Sequence, residues 1–157
     1  MNTTASTRLL VAVTVIGAAF GTIAVYMNLK PVFAQDGGDS AEMVASIIAL
    51  HEQKITMLER VLEEAKQRRR KGPGSKSDVI AAELALAEVH IDIAVLQDRR
   101  GTIVEQLHVI LGLHEEHLDL VRREFNAGVR NRDDLLELEL AVIDTRIRIL
   151  QAEANDV

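Results

Sequence analysis

The sequence predicts an all-α protein made of antiparallel coiled-coil hairpins, assembled as a four-helix bundle behind an N-terminal hydrophobic segment. Three observations predict it. Beyond Ser40, apolar residues recur at alternating steps of three and four, the period of a coiled-coil seam. No segment alternates apolar and polar residues position by position, as a half-buried strand does. The chain also repeats itself, the pattern around Gly72 recurring around Gly128, with a turn at the same place in each copy.

The N-terminus comes first. Residues 1–34 carry only Arg8 and Lys30 as charges, and the apolar run Leu9–Met27 holds no charge at all. A weakly basic start, a long apolar run, and Val32 and Ala34 placed for a cut after Ala34 form the layout of a signal peptide. The same run is long enough to span a bilayer as a retained membrane anchor. Cleaved or anchored in the inner membrane, the body is expected on the far side, in the periplasm or cell envelope. Gln35–Ser40 is a short polar linker.

A helical coiled-coil domain is expected over 41–157, with hairpin repeats at 41–99 and 102–154. The first helix, 41–71, is capped by Asp39 or Ser40 and carries the seam Val44, Ile48, His51, Ile55, Leu58, Leu62 and Ala65. It stops at Lys71-Gly72-Pro73-Gly74, where a glycine and a following proline cannot continue it. The second, 76–99, starts behind Ser75 with Asp78 in its first turn, and its seam is Ile80, Leu84, Ala87, Ile91 and Ala94. The third, 102–126, carries Val104, Leu107, Leu111, His114, Leu118, Val121 and Phe125 and ends at Asn126-Ala127-Gly128. The last, 132–154, starts behind Asn131 and runs Leu136, Leu140, Ile143, Ile147, Leu150 and Ala154. Leu140 and Ile147, in mid-seam, are expected in the core.

The repeat superposes Gly72 on Gly128, Ser75 on Asn131, Asp78 on Asp134, Leu84 on Leu140 and Ile91 on Ile147. Glycine takes the left-handed turn, Ser75 or Asn131 caps the next helix, and the aspartate meets its positive end. A hairpin per copy requires a return turn between them. Arg99-Arg100-Gly101-Thr102 fits, with Gly101 ending one helix and Thr102 and Glu105 forming a capping box. The alternative is one continuous middle helix through Gly101, since a single glycine is tolerated in a packed helix.

Composition excludes several functions. Beyond Ala34 there are 16 bases against 24 acids, a net charge of −8, which argues against a nucleic-acid partner. The chain has no cysteine, so disulfides and thiol chemistry are excluded, and aromatics are only 3%, so stacking platforms are too. Carboxylates sit on Glu/Asp-rich helix faces, with no Ser–His–Asp order and no paired-acid spacing, so no catalytic residues are assigned and no enzyme is expected. No cofactor is expected either. His114 and His117 share a helix face, and His51 and His108 fall at comparable heights in the two hairpins. These are weak candidates for a zinc, copper or nickel site, because no ligand set closes in the sequence. Gly72–Ser77 lacks the Gly-Lys-Ser adjacency and preceding strand of a phosphate loop and reads as a turn. Arg68–Lys71 reads as solvated charge at a helix end, the alternative being a site for an acidic protein surface or lipid headgroups.

The segment Phe125-Asn126-Ala127-Gly128-Val129-Arg130-Asn131-Arg132-Asp133-Asp134-Leu135-Leu136-Glu137-Leu138-Glu139-Leu140 resembles the helix-turn-helix repeat of TolC-type outer-membrane efflux proteins. Those repeats have Phe/Tyr-x-x-Gly, an aspartate six residues beyond the glycine, and a Leu/Ala/Glu-rich helix. The copy from Arg70 to Leu86 keeps Gly72, Asp78 and Glu83 but has Pro73 in the turn. The resemblance covers the turn and the adjoining helix ends in each copy, and it implies hairpin tips at which an adaptor or efflux component docks. Gly128, Arg130, Arg132 and Asp134, with Gly72 and Asp78, would be the tip residues. The family's membrane β-strands have no counterpart in this sequence, so the resemblance implies a scaffold or interaction part and not the channel. A looser resemblance to the α-hairpins of periplasmic adaptors suits an anchored chain. The other expectations are a periplasmic metal-binding or sensing bundle, and a structural coiled coil that self-associates.

Overall fold

The computed structural model describes residues 39–154, and all but a few of them lie in four α-helices. The apolar run Leu9–Met27, the cut after Ala34 and most of the linker fall outside the described residues. Among those described, no helix is long and apolar enough to cross a membrane. The helices are α1 (Asp39–Arg70), α2 (Lys76–Leu96), α3 (Arg100–Asn126) and α4 (Arg132–Ala154). Two compact units divide after Ser46, inside α1, and the packing below belongs to the unit that starts at Ile47.

Consecutive helices run antiparallel, as cross-helix ion pairs record. Lys66 meets Glu83 at 3.1 Å between α1 and α2. Lys76 meets Glu116 between α2 and α3. Between α3 and α4, Arg146 meets Glu115 at 2.8 Å and Arg122 meets Glu139 at 3.6 Å. The turns after α1 and after α3 therefore lie at the same end.

Each turn is built by a backbone device its residues make cheap. After α3, the Gly128 amide donates to the Phe125 carbonyl at 2.9 Å and the Val129 amide to the Glu124 carbonyl at 2.9 Å. Gly128 sits at φ +74°, the left-handed conformation this double bond requires. After α1, Gly72 plays the same part at φ +98°, donating to Arg69. The next residue, Pro73, has no amide hydrogen, so the Gly74 amide makes the return bond, to the Arg68 carbonyl at 3.2 Å. The entries are capped as expected. Ser75 and Asp78 form a reciprocal capping box, and Asn131 Oδ1 accepts from the Asp134 amide at 2.8 Å.

The middle break is real but lies elsewhere than expected. Gly101 and Thr102 fall inside the first turn of α3, and no capping box forms with Glu105. The left-handed residue is Asp98, at φ 53°. The Arg99 amide returns to the Ala94 carbonyl at 2.8 Å and the Asp98 amide to Val95 at 3.2 Å. Aspartate tolerates this conformation better than most residues, so a glycine is not needed. α2 accordingly ends at Leu96 and α3 starts at Arg100.

The core forms where α2, α3 and α4 meet: Ala87 and Ile91, Leu107 and Ile110, and Ile149, with Leu84 and Ile103 packed against them. α2 is apolar on two sides. Its seam Ile80, Leu84, Ala87, Ile91, Ala94 faces this cluster. A second, Val79, Ala82, Leu86, Val89, Ile93, Leu96, is also withdrawn from solvent. α3 likewise carries two seams: the expected one through Leu107 and Val121, and another through Ile103, Ile110 and Leu113. Phe125, at the end of the expected seam, is exposed.

In α4 the expected seam is on the wrong side. Leu136, Leu140, Ile143, Ile147 and Leu150 are 44–65% exposed. The buried face is instead Val142, Thr145 and Ile149, with Leu135, Leu138 and Ala152 partly buried beside them. Both rows step by three and four, so spacing alone does not choose between them. The buried Thr145 hydroxyl donates to the Ala141 carbonyl at 2.8 Å, which satisfies it inside the helix.

Truncation separates the two faces. Ile110→Ala, at a fully buried site, should lower stability by about 2–5 kcal/mol in denaturant melts. Leu140→Ala and Ile147→Ala should each cost less than about 1 kcal/mol in dilute solution; a larger loss would place the α4 seam in the fold. Two glycines separate in the same way. A Cβ at Gly74 would stand 2.5 Å from the Arg69 nitrogen, whereas one at Gly112 in α3 meets nothing within 4 Å. Gly112→Ala should stabilise by about 0.5–1 kcal/mol, and Gly74→Ala should destabilise.

Candidate functional site

The two sequence-expected tips are brought to one end, and their residues do different jobs. Gly72 and Gly128 shape the turns, and Asp78 and Asp134 close helix caps. Arg130 is not a free surface charge. Its Nε donates to Glu124 Oε2 at 2.9 Å, and its Nη1 lies 3.9 Å from Asp134 Oδ2, so it clamps the end of α3 to the start of α4. Reversing Arg130 would set three carboxylates together, so this residue supports the turn itself. Arg132 is exposed at the first position of α4. Val129, 73% exposed at the crest of the turn, is the tip residue sequence reasoning passed over. A lone apolar residue between Gly128 and Arg130 gives no periodic signal.

Open grooves lie beside both tips. One is lined by Lys66, Arg69 and Arg70, and the other by Asp119, Arg122, Arg123 and Asn126. Arg70 is tied back to Glu63 at 3.0 Å within α1. The basic run at this helix end is therefore partly spent on its own helix.

The histidines do not assemble. His51 on α1 has Nδ1 3.8 Å from Asp92 Oδ2, too far for a hydrogen bond. His114 on α3 lies by Glu88, whose carboxylate takes a bidentate pair from Arg148 at 2.8 and 3.0 Å. His117 is one turn on, beside Arg130 and Glu124, and His108 is exposed. Among the described residues no three His, Cys, Asp or Glu side chains come together as a ligand set.

Burial governs the charges in this region. It holds His114 below the usual imidazole range, with Glu88 opposing, and holds His117 down as well, helped by the Arg130 guanidinium. Burial also pushes the Asp92 carboxyl up, against the pull of His51 and Lys54.

The largest feature is the bare α4 seam. A helix apolar on two opposite sides is ordinarily buried on both, and α4 is covered on one. α1 has a similar row, where Leu50, Met57 and Val61 are exposed on the side away from its inner seam. Comparison with family models, with curated proteins and with solved structures found no match to this chain.

The half-buried rings of His114 and His117 set a pH dependence whose sign follows from their shifts. Both histidines are lowered from 6.5 in the folded chain. Their contribution is thus present above that value and lost as pH falls through the lowered folded-state values. Asp92 runs the other way, contributing below its ordinary 3.8 and losing that as pH rises. Denaturant melts should show stability falling from pH 7.5 toward 5, and His114→Gln with His117→Gln should flatten the fall. An unchanged slope in the double variant would mean that the rings titrate as if exposed.

Proposed function

We propose that this protein is a non-enzymatic interaction scaffold of the cell envelope, a coiled-coil component that works by docking helices onto its exposed seams and presenting its paired turns to a partner. The observation that carries the reading is the second apolar row of α4, Leu136 to Leu150, which takes no part in the fold's own core. Exposed apolar rows of this length mark contact surfaces in soluble proteins. Envelope placement is supported by the uncharged run Leu9–Met27. A relation to efflux or secretion systems is supported by the TolC-type resemblance of the 125–140 segment, in which an adaptor or channel component would meet the turns. In this reading Val129 and Arg132 face that partner, while Arg130, Asp134 and the glycines hold the turn in shape.

The test is Leu140→Asp combined with Ile147→Asp in the full chain, in cells of the source organism. The helical circular dichroism should persist, because both positions are exposed, while the chain's chemically cross-linked protein partners should be lost. Retention of every cross-linked product by the folded double variant would overturn the scaffold reading.

A further inference from the structure

The internal repeat gives the bare seams a common origin. The shift that takes Gly72 to Gly128 carries the α2 seam Ile80, Leu84, Ala87, Ile91, Ala94 onto the α4 row Leu136, Leu140, Ile143, Ile147, Leu150. In α2 that seam is buried, because the second hairpin packs on it through α3, where Ile103 and Ile110 join the cluster of Ala87 and Ile91. The same shift in reverse carries the α3 residues Ile103, Ile110, Leu113 and His117 onto Ile47, Lys54, Met57 and Val61 of α1. Thus one kind of interface joins the hairpins inside the chain, and its two halves recur bare: one on α4, the other on α1.

We propose that these halves meet between chains: the α4 seam of one copy packs against the outer row of α1 of a second copy, head to tail, in the register that joins α2 to α3 within the chain. This rests on the reading above that the bare seam docks a helix, and it names the occupant. Counted outward from the turn at Asp98, the internal register sets Ala87 level with Ile110 and Leu84 level with Leu113. Shifted by one repeat, it sets Ile143 against Lys54 and Leu140 against Met57, and it brings Ile147 to Leu50 and Leu136 to Val61. Leu50, Met57 and Val61 are 63%, 67% and 47% exposed, matching the exposure of the row they would cover.

Charge fits the same register. At the edge of the internal interface the register brings together Glu83 and Glu116, and each is held by a lysine, Lys66 and Lys76. Their counterparts between chains are Glu139, which Arg122 approaches to 3.6 Å within its own chain, and Arg60, opposite in sign. Lys54, the one charge within the α1 row and close enough to Asp92 of its own chain to act on that carboxyl, falls opposite Ile143, a single polar position of the kind that fixes coiled-coil register. A two-fold pairing of α4 with itself would leave the α1 row uncovered. A repeat array normally ends in polar faces, and both ends of this one are apolar. The contact is heterologous, so each copy offers both halves.

The full chain has no cysteine, so introduced thiols report alone. Two differently tagged chains, one Leu140→Cys and the other Met57→Cys, are co-expressed and oxidised. A disulfide-linked product of one tag with the other is expected, with neither variant linking to itself. Arg60→Glu should lower the yield of that product by up to about fivefold, the scale of one exposed ion pair, with circular dichroism confirming that the variant is folded. Self-linking of Leu140→Cys would show a two-fold α4 pairing and overturn the proposal, as would absence of any linked product. If no link forms while Leu140→Asp with Ile147→Asp still removes foreign partners, self-assembly is wrong and the scaffold reading stands. If the link forms and those partners persist, the reverse holds.

Discussion

The pairing of α2 with α3 is the constraint on which the rest of the structure depends. α2 has apolar seams on two sides, and such a helix is stable in water only when something lies on each. α3 covers one side together with α4, and the links to α1, Lys66–Glu83 and His51–Asp92, flank the other. Ile110 and Ile91, nearly sealed from solvent at the centre of this contact, carry more of the stability than the ion pairs around it. Exposed pairs contribute about 0–1 kcal/mol each, so they fix which helices are neighbours more than they hold them.

Short turns follow from that packing. Antiparallel neighbours must reverse within a few residues, and the described residues do so three times with a pair of amide hydrogen bonds back to the helix just left. Glycine is the obvious way to reach the left-handed conformation, and Gly72 and Gly128 use it. The other two solutions are less obvious. Pro73 removes a donor, so the bond passes to Gly74, whose lack of a side chain lets it approach the Arg68 and Arg69 backbone. Asp98 takes the same conformation with a side chain present. Arg130 then adds a clamp of side chains at one turn, which is why a residue expected to serve a partner also serves the fold.

Two-sided helices also connect fold to function. A helix with one seam ends its obligations inside the domain. α1 and α4 each have a second seam at the outer ends of the array, and what lies on those faces decides whether the chain works alone. The polar chemistry points the same way. The histidines are dispersed among packed helices, His51 near Asp92 and His114 near Glu88, and what the environment does to His114 and to Asp92 is mainly desolvation.

The sequence by itself determined the helical class, the two glycine turns with their caps at Ser75 and Asn131, and one of the two seams on each of α2 and α3. Each is a local property: periodicity over a few turns, a left-handed glycine, a side chain reaching an amide one turn on. Only the tertiary structure decided three other matters. The middle break fell at Asp98 and not Gly101, because packing ends α2 at Leu96 and aspartate tolerates the conformation that results. Arg130 proved to be a clamp, since its partners Glu124 and Asp134 meet only when the turn closes. In α4 the buried row was Leu135 to Ala152 and not Leu136 to Leu150. The two rows have equal spacing, and the exposed one is the more apolar, so which one faces inward is set by where α2 and α3 stand, a relation between distant parts of the chain that no local pattern encodes.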